Sequence, residues 1–162
     1  MNLETNSMNR DEISDQVGTL IGKIEEQERL YHELSEVSRS QIAELEREDG
    51  GDIEQFVAQK RAILERLERI DAITHAMYTE CEPRLDMLTD TEKLKLQVTR
   101  LRAAEALKEA VATERLGSER AKAHLERISN DLAEINRVRR VAEKYRPVIR
   151  GEHDSKFIDK LQ

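Results

Sequence analysis

The sequence is poor in aromatic residues, in turn-forming residues and in cysteine. Aromatic residues make up 3% of its 162 positions, tryptophan does not occur, and there are six glycines and two prolines. A β-sandwich or barrel needs turn residues about every 8–12 positions and many β-branched or aromatic residues, so both classes are excluded. The single cysteine, Cys81, excludes an internal disulfide and a cysteine-based zinc cluster.

Long apolar runs are also missing. No stretch approaches the roughly 18 apolar residues of a membrane-spanning helix. The N-terminal residues Met1 to Glu4 contain neither a basic nor an apolar leader region. We therefore expect no membrane insertion and a cytoplasmic location.

Charge and aliphatic residues are abundant instead. Charged residues make up 38% of the chain and hydrophobic residues another 38%. This composition is typical of long helices and coiled coils. We expect an all-α protein in which apolar seams between helices replace a thick core.

The charge is distributed unevenly along the chain. Residues 1–52 contain 14 acidic and 5 basic residues, whereas residues 114–150 contain 10 basic and 6 acidic residues. The asymmetry favours antiparallel packing of the first helix on the last, although both segments could equally be ordinary solvated faces. The overall net charge of −7 argues against a nucleic-acid partner, which requires neutralisation of phosphates.

The first helix is predicted over residues 11–48, after a polar, frayed N-terminus at 1–10. A heptad-like row of mostly apolar residues supports it. The row consists of Ile13, Val17, Leu20, Ile24, Gln27, Tyr31, Leu34, Ser38, Gln41 and Leu45.

A tight turn at Asp49-Gly50-Gly51-Asp52 is expected to reverse the chain, with Asp52 and Gln55 forming a capping box. The second helix is predicted over 52–81. Its apolar positions are Ile53, Phe56, Val57, Ile63, Leu64, Leu67, Ile70, Thr74 and Met77. We expect Leu64 in the hairpin core, so that Leu64→Asp would unfold it.

A third helix is predicted over 90–146. Pro83 ends the second helix, residues 82–89 form a connector, and Thr89 with Glu92 makes a capping box. The apolar row of the third helix begins with Leu94, Val98, Leu101, Ala104, Leu107 and Val111. The helix either continues through Gly117, which we favour, or breaks there, and Pro147 ends it before a flexible tail at 147–162. The predicted architecture is a single all-helical domain, an elongated antiparallel hairpin packed on a long third helix.

The sequence contains little that indicates catalysis. The four histidines lie on different segments and form no His-Glu-x-x-His or Glu-x-x-His pair. There is no Gly-x-Gly-x-x-Gly and no phosphate-binding loop, and His75 and Cys81 are six residues apart, on nearly opposite faces of a helix. We expect neither an enzyme nor a metal or cofactor site.

An interaction surface is the better candidate for function. At about 1.5 Å per residue, a third helix of roughly 84 Å exceeds a first helix of roughly 57 Å, so part of its apolar row lacks cover. The uncovered part, called here the C-terminal stripe, consists of Leu125, Ile128, Leu132, Ile135 and Val138. A partner helix, a second copy in a homodimer, or folding back at Gly117 could cover it.

Several motifs resemble those of one family. They are Leu30-Tyr31-His32-Glu33-Leu34, the turn Gly51-Asp52, Lys60 before Ile63-Leu64, and Tyr145 near the end of the last helix. A tail with Phe157-Ile158-Asp159 follows. Together they resemble the FlgN family of flagellar type III export chaperones. Asparagines that the family often has midway along the last helix are replaced here by Thr113 to Ser118.

The resemblance implies a small chaperone that binds the C-terminal helical segments of hook–filament junction proteins and delivers them to the export gate. The C-terminal stripe would hold the client, and Tyr145 would either dock the export-gate protein or cap the core. Arg137, Arg139 and Arg140 would pair with acidic cargo or with Glu134 and Glu143. A helper for the filament cap and a self-associating structural coiled coil without a client remain alternatives.

Overall fold

The computed structural model describes residues 2–47 and 53–154, with side chains described for residues 9–47 and 53–144. This part of the chain is almost entirely helical and contains no strand, which confirms the all-α prediction. Helix α1 spans Asn2–Leu45, α2 spans Glu54–Cys81, a short 3₁₀ helix spans Glu82–Met87, and α3 spans Asp90–Asp154.

Two helix ends differ from the prediction. Residues 2–10 are helical rather than frayed, because extending an existing helix costs far less than nucleating one. Helix α3 continues beyond residue 146 to Asp154, so Pro147 does not end it. Proline removes one backbone hydrogen bond at a cost of about 3 kcal/mol, and neighbouring Lys and Arg residues favour the helix. The predicted turn at 49–52 and the apolar cluster at 157–161 lie outside the described residues.

The predicted row of α1 is its buried face. Nearly all its members are buried, and Tyr31 and Gln41 are half-buried. The polar Gln27 and Ser38 are buried with the aliphatic residues, and each has a partner. Gln27 donates to the Asp71 carboxylate at 3.1 Å, and the Ser38 hydroxyl donates to the Leu34 carbonyl at 2.8 Å.

Helix α2 buries a narrower row than predicted. Ile63, Leu67 and Ile70 are buried against α1. Leu64, however, is 53% exposed, so its assignment to the core was wrong. Ile63 and Leu64 lie about 100° apart around the helix. The packing of α1 and α3 on α2 covers Ile63 and leaves Leu64 exposed.

Helix α3 packs on the hairpin through small residues. Its buried residues up to position 117 follow a spacing of three, four or seven, as in a heptad. They are Leu96, Thr99, Ala103, Ala106, Ala110 and Gly117. The larger aliphatic residues that were predicted to form the seam are exposed. The prediction assigned the largest apolar side chains of α3 to the seam. In the structure, the helices pack closely where α3 has alanine and glycine, because the large side chains of the hairpin fit against these small residues.

The direction of α3 also differs from the charge-based expectation. Ser14 near the start of α1 bonds to Glu92 near the start of α3. Glu46 after the end of α1 pairs with Arg120 at 3.7 Å. These contacts run in the same direction along both helices, so the two are parallel, not antiparallel. Each short connection reverses the chain, and this up–down–up order overrides the long-range preference of the charges.

The connector and the start of α3 follow the sequence signals. Helix α2 ends at Cys81, just before Pro83 in the 3₁₀ helix. The Thr89 backbone N–H donates to the Glu92 carboxylate at 2.8 Å, and the Glu92 N–H donates to the Thr89 hydroxyl at 3.3 Å. The predicted capping box is therefore present. Hydrogen bonds from Ser14 and then Thr89 lower the pKa of Glu92 to about 2.

A polar cluster joins all three helices near their other end. The hydroxyl proton of the buried Ser38 of α1 is shared between the Leu34 carbonyl and the Glu114 carboxylate of α3, and Lys60 of α2 approaches the same carboxylate at 2.8 Å. Lys60 is mostly shielded from solvent, and a charge-assisted contact of this kind is stronger than a neutral hydrogen bond. The cluster therefore links the three helices through Glu114.

The chain divides into two compact units, residues 1–120 and residues 121–162. The first unit contains the hairpin and the first part of α3, with two clusters of buried aliphatic residues. Helical structure continues through Gly117, as favoured from the sequence. The second unit contains the rest of α3, and the described residues belong to this one helix.

Candidate partner-binding surfaces

The C-terminal stripe lies on the helical second unit. Every side chain from Leu125 to Lys144 is exposed. The exposed fractions of the stripe residues are 65% for Leu125, 43% for Ile128, 55% for Leu132, 62% for Ile135 and 59% for Val138. The first four follow a spacing of three and four, so they share one face of the helix. An exposed apolar row of this length makes the stripe a candidate interaction site.

Basic side chains accompany the C-terminal stripe. Arg137, Arg139 and Arg140 are all exposed. Arg139 pairs with Glu143, one turn along the helix, at 3.4 Å. This is the pairing within the helix that the sequence offered as the alternative to pairing with acidic cargo. Such exposed pairs contribute little to stability, so an arginine can leave its glutamate and pair with an acidic residue of a binding partner at little cost. Tyr145 belongs to α3, but its side chain lies outside the described residues.

A second exposed apolar surface occurs on the first unit, where the sequence had predicted core. This surface is called here the outer face of α3 and consists of Leu94, Leu101 and Val111, with Val98 and Leu107 on its two opposite flanks. These residues are 42–59% exposed. The regular spacing of the small residues at Ala103, Ala106 and Ala110 is the sequence signal that could have revealed it. Because α3 buries its alanines against the hairpin, its larger aliphatic side chains lie on the parts of the helix that face solvent.

A groove runs between α1 and α3 beside the outer face. It has a volume of about 720 Å³, and Val98, Leu101 and Ala106 line its floor. Its rim is charged, since Arg102 pairs with Glu28 at 2.8 Å across it. A floor of aliphatic carbon with a charged rim suits an amphipathic side chain or helix better than a small polar substrate.

The described residues were compared with the requirements of metal and thiol chemistry. They contain no group of three or more His, Cys, Asp or Glu side chains placed to hold a metal ion. Cys81 is buried among aliphatic residues, and burial raises the pKa of its thiol, which disfavours the reactive thiolate. Burial, and then the Asp71 carboxylate, raise the pKa of Tyr31.

Comparison of the chain with models of protein families, with curated proteins and with solved structures gave no match in any of the three. Among the described residues, no helix is both long and apolar enough to cross a membrane.

Proposed function

We propose that the protein is a helical chaperone that binds an amphipathic segment of a client protein along the C-terminal stripe. The observation that carries this proposal is the uninterrupted exposure of α3 from Leu125 to Lys144, with a row of large aliphatic residues on one face. Helix-in-groove recognition uses such rows as anchors. The client gains cover for its own apolar face and is kept from premature association.

The resemblance to the FlgN family gives this proposal its specific form. The clients would be the C-terminal helical segments of hook–filament junction proteins, held in the cytoplasm before flagellar type III export. Delivery would require a contact with the export-gate protein, and Tyr145 is the candidate residue for it. The neighbouring arginines would pair with acidic residues of the client.

Binding of synthetic peptides tests the proposal. Peptides covering the C-terminal helical segments of junction proteins are titrated into the purified chain by calorimetry, and a filament-cap peptide is titrated in parallel. We expect the junction peptides to bind and residues 121–144 to gain hydrogen-exchange protection. Preferential binding of the filament-cap peptide would redirect the client assignment, and absence of binding by either would refute the chaperone proposal.

Substitutions separate a binding role from a structural one. Ile128→Asp and Leu132→Asp should each weaken peptide binding at least tenfold, as expected for a central apolar anchor. Because both positions are exposed, the helical circular dichroism signal should change little. Leu64→Asp is the matched control, since Leu64 on α2 has a similar exposure and should leave binding intact.

A self-associating structural coiled coil is the alternative, and the same exposed stripe supports it. It requires a concentration-dependent oligomer in which residues 121–144 are already protected without a peptide. In that case Ile128→Asp and Leu132→Asp would dissolve the oligomer, and no peptide would bind to the wild-type chain.

A further inference from the structure

We propose that a groove between α2 and α3 binds a zwitterion whose ammonium and carboxylate groups are joined by an aliphatic stem, such as an ω-amino acid or a lysine at the C-terminal end of a peptide. The proposal concerns the first unit and does not rest on the proposed client function. The groove, called here the three-helix groove, has a volume of about 370 Å³, which is sufficient for a small ligand. Two charged side chains, Asp71 of α2 and Arg100 of α3, line it.

The three-helix groove is lined by one face of each helix. Its lining residues fall within residues 24–31 of α1, 71–78 of α2 and 100–107 of α3. Each range covers about two turns, so the groove follows the helices for roughly 10 Å. The wall on α3 includes the small Ala104 and the aliphatic Leu107. The groove therefore offers a ligand both free space and aliphatic carbon between its charged groups.

The two charged residues of the groove have neutral partners. The Asp71 carboxylate accepts a hydrogen bond from the Gln27 amide through Oδ1 at 3.1 Å. Arg100 donates through Nη1 to the Tyr78 hydroxyl at 3.0 Å, and its guanidinium lies 4.3 Å from the centre of the Tyr78 ring. Among the described side chains, neither charge forms an ion pair, although other carboxylates of this unit pair with basic residues across helix boundaries. Both charges are therefore available to a ligand.

The free atoms at the two charged positions suit different ligand groups. An ammonium has three donors and no acceptor, and Oδ2 of Asp71 with the Tyr31 hydroxyl can accept from it. Burial, and then the charge of Asp71, raise the pKa of Tyr31, so the Asp71 charge acts on this part of the groove. The remaining guanidinium N–H groups of Arg100 suit a carboxylate.

The separation of the two charges sets the length of the ligand. Asp71 and Tyr78, which holds Arg100, are seven residues apart, about 10 Å along α2. Glycine has its ammonium and carboxylate on neighbouring carbons and cannot reach both positions. In 6-aminohexanoate five methylene groups separate the charges, and free lysine has a similar distance between its side-chain ammonium and its carboxylate. A ligand of about nine non-hydrogen atoms in an open groove should bind in the millimolar range.

Titration of 6-aminohexanoate into the full ¹⁵N-labelled chain, followed by NMR, tests the proposal. The side-chain amide of Gln27, which contacts Asp71, is the local reporter, and we expect its signals to shift saturably. Hexylamine, hexanoate and glycine should each bind roughly three- to fivefold more weakly, the range expected for the loss of one partly exposed ion pair. A peptide ending in lysine, compared with the same peptide as its C-terminal amide, distinguishes the two sources. Tighter binding of the free-acid peptide than of 6-aminohexanoate identifies a peptide end, and the reverse order identifies a free ω-amino acid.

Charge-neutralising variants test the two charged positions. Asp71→Asn and Arg100→Gln should each weaken binding of 6-aminohexanoate by a similar three- to fivefold. Glu80→Gln is the matched control for Asp71, because Glu80 is exposed and nine residues along α2, on the opposite face of the helix. Lys95→Gln, at an exposed position of α3 outside the groove, is the control for Arg100. Both controls should leave binding unchanged.

A larger side chain tests the location. Ala104 is exposed and lines the groove, so Ala104→Leu should block binding while the circular dichroism signal stays that of the folded chain. The proposal is overturned if 6-aminohexanoate leaves the Gln27 amide unshifted, or if hexylamine binds equally well. It is equally overturned if the control variants weaken binding as much as Asp71→Asn and Arg100→Gln do, since net charge rather than the groove would then be responsible.

Discussion

Ile63 and Leu64 are consecutive residues of α2 with the same number of side-chain carbons and opposite environments. Ile63 is 3% exposed within the cluster formed by Leu30, Leu34 and Ala110, whereas Leu64 is 53% exposed. The change to alanine removes three carbon groups in each case. At about 0.8 kcal/mol per buried group, the transfer contribution is about 2.4 kcal/mol for Ile63 and about half of that for Leu64.

Ile63→Ala also leaves a cavity, which adds to the transfer contribution and brings the expected loss in unfolding free energy to about 3–4 kcal/mol. Leu64→Ala leaves no cavity and should lose about 1 kcal/mol or less. Urea denaturation followed by far-ultraviolet circular dichroism measures both. Equal losses, or a larger loss for Leu64→Ala, would refute the assignment of the buried face of α2 and with it the packing of the hairpin.

Three further predictions concern the first unit. Because the pKa of Glu92 is held at about 2 against an ordinary value of 4.5, its contribution to stability is present above about pH 4.5 and is lost as the pH falls toward 2. Ser14→Ala should raise that pKa, as measured by carbon NMR of the carboxyl group, and an unchanged pKa would contradict the contact. Gly117→Ala should raise the unfolding free energy by up to about 1 kcal/mol, because the added Cβ would meet Ile42 at an ordinary 3.7 Å; a loss of stability in the urea assay would mean that the helices lie closer. Cys81, buried with a raised thiol pKa, should react with a disulfide reagent at the rate of unfolding rather than at the rate of an exposed thiol, and immediate labelling of the native protein would show that this part of the core is open.

The sequence predicted the first helix well because its pattern is regular. The heptad row placed even Gln27 and Ser38 in the interior, where both are buried with hydrogen-bond partners. The capping box of Thr89 and Glu92 was equally readable, since it depends on residues three positions apart. Local spacing is sufficient information for such features.

The packing of α3 could not be read in the same way. Hydrophobicity ranks Leu101 above Ala103, yet Ala103 is buried and Leu101 is exposed. The choice between the two faces depends on the distance at which the hairpin approaches, which is a property of three helices together. The parallel direction of α1 and α3 likewise follows from the two chain reversals and not from net charge.

The C-terminal stripe was predicted from the sequence as a binding surface, and both its binding role and its occupant stay predictions. The exposure of Ile128 and Leu132 agrees with a surface for binding. An apolar row specifies a helix of complementary shape, and many helices meet that requirement. The identity of the client therefore stays a prediction that peptide binding must test.

The link among Ser38, Lys60 and Glu114 has a consequence for the alignment of the helices. Small residues recur seven positions apart on α3 at Ala103, Ala110 and Gly117, so a shift of the helix by one heptad would present a similar shape to this part of the hairpin. After such a shift, Glu114 would lose both its buried hydroxyl partner and the lysine that neutralises it. Lys60, whose side chain is mostly shielded from solvent, would at the same time lose its counter-charge, which is unfavourable for a shielded ammonium. The contacts of one carboxylate, that of Glu114, thus distinguish the native alignment of α3 from alignments shifted by one heptad.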